Sequence, residues 1–236
     1  MSISRTSLQR IVKNRLAMKA YKQTRSQFLS IAAKIKRKVR AKKLLRRFKN
    51  GAHQTILFTD EKSLPNFSAK CDRTANRLSE KCDSLAGITT DGKTPLIFVP
   101  QGIKVCGNNY LDMLRTQLLP WAKKHLKKRH WCFQQDGAPA HKYNAVQNWC
   151  QQNFPDFVTF NQWPPSSPDL NSMDYSVWSV LESKACSKPH LNIDLLKKSL
   201  EKAWSELDDA YLRTTVDAFP KRLKACVDTD GDIFEL

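Results

Sequence analysis

The apolar positions of this chain change rhythm near residue 51. Before it they keep helical spacing. In "ISRTSLQRIVKNRLAMKAYK" Leu8, Ile11, Val12 and Leu16 recur on one stripe behind a capping Ser4 or Thr6. Residues 34–49, "KIKRKVRAKKLLRRFK", form a dense basic run with sparse Ile, Val, Leu and Phe, read as a helix that lies along a polyanion. Beyond Gly51 short β-branched runs alternate with helical stripes. "QTILFTDEKS" (54–63) reads as a buried strand ending in acids. "GITTDGKTPLIFVPQG" (87–102) reads as a hairpin turning at Asp91-Gly92. A helix over 108–120 follows, then a strand in "HWCFQQD" (130–136), a helix over 141–153 and a short strand in "FVTF" (157–160). A proline-rich turn leads to helices over 173–186, 192–207 and 208–226, the last restarting at Pro220. That order predicts an α/β architecture, a mixed sheet flanked by helices.

Charge sharpens the division. Of the net +18, the first 50 residues contribute 17, with 17 Lys or Arg and no acid, whereas residues 51–236 hold 23 basic and 22 acidic side chains. A cationic arm on a nearly neutral body calls for a polyanionic partner, the competing reading being a solvated tail or import signal. On the first helix Arg5, Gln9, Arg10 and Lys13 are side chains suited to phosphates and base edges. On the second run Lys36, Arg37, Lys38, Arg40, Lys42, Lys43, Arg46 and Arg47 are the candidates for a phosphate backbone. The seven cysteines show no CxxC pair and read as reduced, apolar-type residues rather than a zinc site. No run is apolar for long enough to cross a membrane, and the N-terminus lacks the apolar segment of a secretory signal, so an intracellular protein is expected.

The candidate chemistry lies in acids at the ends of elements. Asp60 and Asp136 each close an apolar strand, where α/β sheets gather ligand sites. Adjacent strands would bring them together, and like charges at close range demand a proton or a cation. A cluster of hard oxygens suits Mg²⁺ or Mn²⁺. Each Asp taken singly could also cap its own turn. Asp174 shares a helical face with Val177, Trp178, Leu181 and Ala185. It is either a third ligand or a first-turn acid favoured by the helix dipole, and periodicity leaves both open. Asp169, after Pro168, has no helical face and is not expected to be a ligand.

"FTDEK" (58–62), "FQQDGAPAH" (133–141) and "WPPSSPDLNSMDYSVW" (163–178), in this order, resemble the signature blocks of the Tc1/mariner superfamily of DNA transposases. The 37 residues between Asp136 and Asp174 resemble the branch with an Asp-Asp-Asp triad. The resemblance implies an RNase H-like fold (retroviral-integrase-like) over 51–236, a basic linker over 21–50 and the recognition helix of a second helix-turn-helix over 1–20. It also implies a nuclear enzyme that cuts and joins double-stranded DNA with two Mg²⁺ or Mn²⁺ ions held by Asp60, Asp136 and Asp174. A homodimer follows by family analogy; no membrane and no small-molecule cofactor is expected. His141 and Asn144 are expected behind the second carboxylate or against DNA, and the proline turn is expected to fix the third ligand's approach.

The chain departs from the pattern in three places. Met1 falls inside what would be the last helix of the second DNA-reading unit, which puts sequence-specific end recognition in doubt and leaves the basic arm to salt-sensitive, nonspecific binding. Residues 63–86 look eroded, with Asp83 where a buried apolar residue is expected; an unpaired buried charge there would cost several kcal/mol, roughly. Ser172 stands where a proline is common and is expected to cap its helix. These departures leave a second reading, a catalytically silent remnant that binds DNA nonspecifically through its arm.

Overall fold

In a computed structural model, residues 28–65, 81–127 and 129–234 are described. The expectations for Arg5, Gln9, Arg10 and Lys13 lie outside them. Helix α1 (Ile31–Arg47) starts at Ser30, whose hydroxyl accepts the Ala33 N–H. Strands β1 (Ile56–Pro65) and β2 (Lys81–Thr89) follow, then the short β3 (Gly92–Lys93) and β4 (Ile97–Phe98). One long helical stretch comprises α2 (Gly107–Met113), a π turn at Leu114–Leu118 and α3 (Leu119–His125). Next come β5 (Cys132–Gln134), α4 (Asn144–Asn153) and β6 (Asp156–Phe157). The chain closes with a second π turn at Met173–Val177 that runs into α5 (Trp178–Ala185), and with α6 (Ile193–Ser205), α7 (Asp209–Asp217) and α8 (Phe219–Asp228).

The strands make one mixed sheet in the order β3-β2-β1-β5-β6, with β4 also on β2. β1 is antiparallel to β2 and parallel to β5, and β5 is parallel to β6. Alternation along β1 supplies both cores. Ile56 and Phe58 join a core closed by α1 and α5 to α8. Leu57 joins the opposite one, with Tyr110, Leu114, Phe133 and Val146. The sandwich of a mixed sheet between helical layers is the expected α/β class.

Four local expectations need correcting. The basic run 34–49 is not a free linker: Ala41, Leu44 and Phe48 put one face of α1 into the core. The hairpin turns at Thr90-Asp91, one residue early, because Thr89 pairs with Gly92. Residues 81–89 form a full strand, and Asp83 is only half-buried opposite Ser63, so no buried charge is stranded there. Ser172 does not cap its helix; its hydroxyl meets the Tyr175 hydroxyl at 3.1 Å, and Asn171 Oδ1 accepts the Met173 N–H instead.

Candidate active site

Asp60 does not end its strand. β1 pairs with β5 only as far as Phe58–Gln134 but stays paired with β2 to Pro65. The departure of β5 opens the edge of β1 beyond Phe58, and Asp60 lies on the same side as Phe58. It is 6% exposed, and its Oδ2 accepts the Trp178 indole N–H at 2.7 Å. Burial first, then the charges of Asp174, Glu61 and Asp136, hold its pKa well above the ordinary carboxylate range; the indole N–H works the other way.

Asp136 lies two residues past β5, in a tight turn. Its Oδ1 accepts the Ala138 N–H at 2.9 Å and meets His141 Nδ1 at 2.6 Å. Burial opposes its charge, but His141, the Ala138 N–H and Lys142 outweigh that and lower its pKa. Asp174 sits in the second π turn, a distortion frequent at functional sites. Burial raises it to about 6 against the opposing charge of Lys62; Asp136 adds to the rise, and hydrogen bonding with Asn171 and Asp60 moderates it. The predicted face is real: Val177, Trp178, Leu181 and Ala185 are all buried.

The three aspartates are thus mutual electrostatic neighbours, brought from a strand, a turn and a helix start. As the side chains stand, no three His, Cys, Asp or Glu among the described residues close on one point as a metal cage. Asp136 is turned toward His141 instead.

His141 is 1% exposed and bridges two acids, Asp136 through Nδ1 and Glu61 through Nε2 at 2.9 Å. Its ring leans on Tyr110, 4.3 Å between centroids. Burial pulls its pKa down, but Glu61 and Asp136 overcome this and lift it to about 10, so it is an imidazolium at neutral pH. His141 therefore faces inward rather than toward a ligand, whereas Asn144 starts α4 exposed to solvent. Sequence reasoning missed Glu61, Trp178 and Tyr110 as partners. Strand alternation offered the signal for Glu61, since a residue next to Asp60 must face the other side of the sheet.

The basic helix divides in two. Lys36, Lys42, Lys43 and Arg46 are exposed. Arg37 is not a phosphate-facing residue; it is fully buried and bound to Asp169. Lys38 pairs with Asp230, Arg47 with Asp156 at 2.7 Å, and Arg40 donates to the Phe160 and Trp163 carbonyls. These residues tie α1 to the body.

Between α1, the Asp136 turn and the proline-rich turn lies a cavity of about 540 Å³ whose lining includes both Asp136 and Asp174. The six cysteines among the described residues are free thiols. No helix among the described residues is long and apolar enough to cross a membrane.

No family profile matches the chain. It is 34% identical over 122 residues to the Tcb1 transposase of Caenorhabditis briggsae, a stretch that covers 52% of this chain and 43% of that protein. It is 31% identical over 122 residues, with the same coverage, to the Tc1 transposase of Caenorhabditis elegans. The chain spans less than half the length of these curated relatives. Among solved structures, the catalytic domain of Mos1 transposase with raltegravir and Mn superposes with a TM-score of 0.76 at 21% identity, over 89% of this chain and all of that one. The Mos1 paired-end complex with a left transposon end gives a TM-score of 0.80 at 20% identity, over 99% of this chain and 72% of that one.

Proposed function

We propose that the chain, similar over about half its length to Tc1-type transposases, carries the catalytic core of a Tc1/mariner DNA transposase, hydrolysing phosphodiester bonds at the ends of an element and transferring the freed 3′-hydroxyls to target DNA. The observation that supports this most is that Asp60, Asp136 and Asp174 are electrostatic neighbours beside the edge that β5 leaves open.

The donor set fits a divalent ion. It is all carboxylate oxygen, and Asp60 is buried among three other acids with one indole N–H for relief. Such a set suits Mg²⁺ or Mn²⁺; structures of Mos1 contain each. Asp60, Asp136 and Asp174 would hold two ions, and the chemistry those ions would supply when bound is activation of a water or 3′-hydroxyl and stabilisation of the leaving oxygen in an in-line displacement. The protein's own part is positioning. Trp178 fixes the Asp60 carboxylate, and Ala138 and His141 fix that of Asp136. Glu61 holds His141 from the far side. Lys36, Lys42, Lys43 and Arg46 on α1 supply cationic contacts to the backbone of double-stranded DNA. Mos1 transposase forms a paired-end complex with a left transposon end, and a pair of copies acting in the nucleus is the corresponding working unit for this chain.

Nicking of supercoiled plasmid in Mn²⁺ tests the reading. Wild type should nick, and Asp60→Asn, Asp136→Asn and Asp174→Asn should each abolish nicking while still binding DNA. DNA binding without nicking by the wild type would favour the silent remnant.

A further inference from the structure

Helix α1 is apolar on two opposite sides. Ala41, Leu44 and Phe48 turn into the core, as does Arg37. Ile31, Ile35 and Val39, four residues apart, turn the other way and are 79%, 58% and 48% exposed. Phe28, just ahead of the helix, is 93% exposed. One exposed aliphatic side chain is ordinary, but four along one side of one helix make a stripe. A helix that is apolar on both sides belongs between two layers. Among the described residues only the inner side of α1 has one.

The outer side borders a groove of about 290 Å³, with Ile35, Val39 and Lys43 on α1 and Asn161 and Gln162 opposite. Its lining includes none of the three aspartates.

The sequence just before Phe28 carries a stripe of the same length. Leu8, Ile11, Val12 and Leu16 recur at helical spacing, and a helix that short does not hold without something to cover its apolar face. Leu8 to Leu16 and Ile31 to Val39 each span eight residue steps, about 12 Å of helix. Residues 17–30 lie between the two stripes, ample for the chain to turn back in an antiparallel helix pair. A tether of that length presents one stripe to the other at an effective concentration on the order of millimolar, ahead of any free partner. A second copy of α1 in that place would set the exposed Lys36 and Lys43 against their own counterparts.

We propose that the outer side of α1 is the docking surface for residues 4–18 of the same chain. They pack antiparallel, with Leu16 over Ile31, Ile11 and Val12 over Ile35 and the groove, and Leu8 at Val39. Arg10 and Lys13 lie off the apolar stripe, so docking keeps them in solvent beside the exposed Lys36, Lys42 and Lys43. The inference goes beyond the catalytic reading and does not depend on it.

Hydrogen exchange of the intact chain, read by mass spectrometry over residues 5–17, tests it. Those amides should exchange about tenfold more slowly in wild type than in Ile35→Asp, because a short helix is marginal once its apolar face is uncovered. Val39→Asp should act as Ile35→Asp does, and Ile35→Leu should keep the slow exchange. Both positions face away from the core, so the cooperative melt should stay as in wild type. If Ile35→Asp melts early, Val39→Ser, a milder change on the same surface, takes its place. Both helices are cationic, so the protection should hold or grow as salt is raised. Wild-type exchange over 5–17 as fast as in Ile35→Asp overturns the assignment. So does protection that fades on dilution, which marks a second copy as the occupant, or protection that fades with salt, which marks a polyanion.

Discussion

Arg37 of α1 and Asp169 of the proline-rich turn meet as a two-pronged ion pair, Nη1 to Oδ1 at 3.0 Å and Nη2 to Oδ2 at 2.6 Å, although 132 residues apart in the chain. The guanidinium is spent completely: it also donates to Ser166, Ser167, Gly231 and Asp232. The pair thus joins the first helix, the turn before Asp174 and the segment after α8. Removing one partner of a buried pair strands the other, at about 3–5 kcal/mol. Asp169→Asn and Arg37→Ala should each lower the urea midpoint accordingly. Asp169→Asn should still bind Mn²⁺ with wild-type stoichiometry under native conditions; loss of an ion site in that folded variant would make Asp169 a ligand after all.

Ion binding should follow the other three acids. Calorimetric titration of Mn²⁺ is expected to show the site weakened beyond detection in Asp60→Asn and Asp174→Asn. His141→Gln should weaken it by about 10–100-fold, the usual effect of disturbing the groups that orient a ligand. A His141→Gln affinity equal to wild type would reduce His141 to a core residue.

The crowding of acids sets a pH dependence in the metal-free protein. Asp60 and Asp174 have folded pKa values above their unfolded ones, Asp174 at about 6. The folded state therefore holds protons that the unfolded state has released, so the contribution of Asp174 is full below about pH 4 and is lost as pH rises through about 6, with Asp60 acting in the same sense. Asp136, whose pKa is lowered, acts in the opposite sense, so the difference between wild type and Asp174→Asn reads Asp174 together with its coupling to Asp60. In EDTA the melting temperature of wild type relative to Asp174→Asn should fall between pH 4.5 and 7.5, and Mn²⁺ should restore it at the upper end. A flat difference would mean that Asp174 is already relieved.

The basic helix gives an electrostatic prediction. Lys36, Lys42, Lys43 and Arg46 are exposed, whereas Arg37 is buried. Each exposed residue changed to Gln should reduce the salt slope of DNA binding by roughly 0.9 if it contacts a phosphate. Lys38→Gln should change it less, because Lys38 is paired with Asp230. Equal slopes for all of these variants would move the DNA path off α1.

Much of this fold could be read from the chain. The main strand over 54–63, the long helices and the apolar face around Asp174 depend on local periodicity and stand close to where it puts them, whereas the strand expected over 157–160 is only Asp156–Phe157 and that over 130–136 only Cys132–Gln134. What escaped was set by partners distant in sequence. Arg37 reads as one more cation in a basic run, and only its phase with Ala41, Leu44 and Phe48, at steps of four, seven and eleven, marks it as inward-facing. The half-exposure of Asp83 depends on its pairing with Ser63, and Asp60 stands mid-strand because one neighbour ends before the other. The signature blocks pointed to Asp60, Asp136 and Asp174 and to His141 behind Asp136; that Trp178 holds Asp60 and Glu61 holds His141 from the far side came from the assembled sheet.

The pleat of β1 gives two adjacent letters different employers. Asp60 serves the side of Trp178, and Glu61 serves the side of His141. A one-residue deletion upstream in that strand would exchange them, presenting Glu61 to the indole and leaving the imidazolium without its outer carboxylate. A point change at Asp60 or Glu61 touches one face, but a frame-preserving loss of a single codon between Ile56 and Asp60 would disable both faces together.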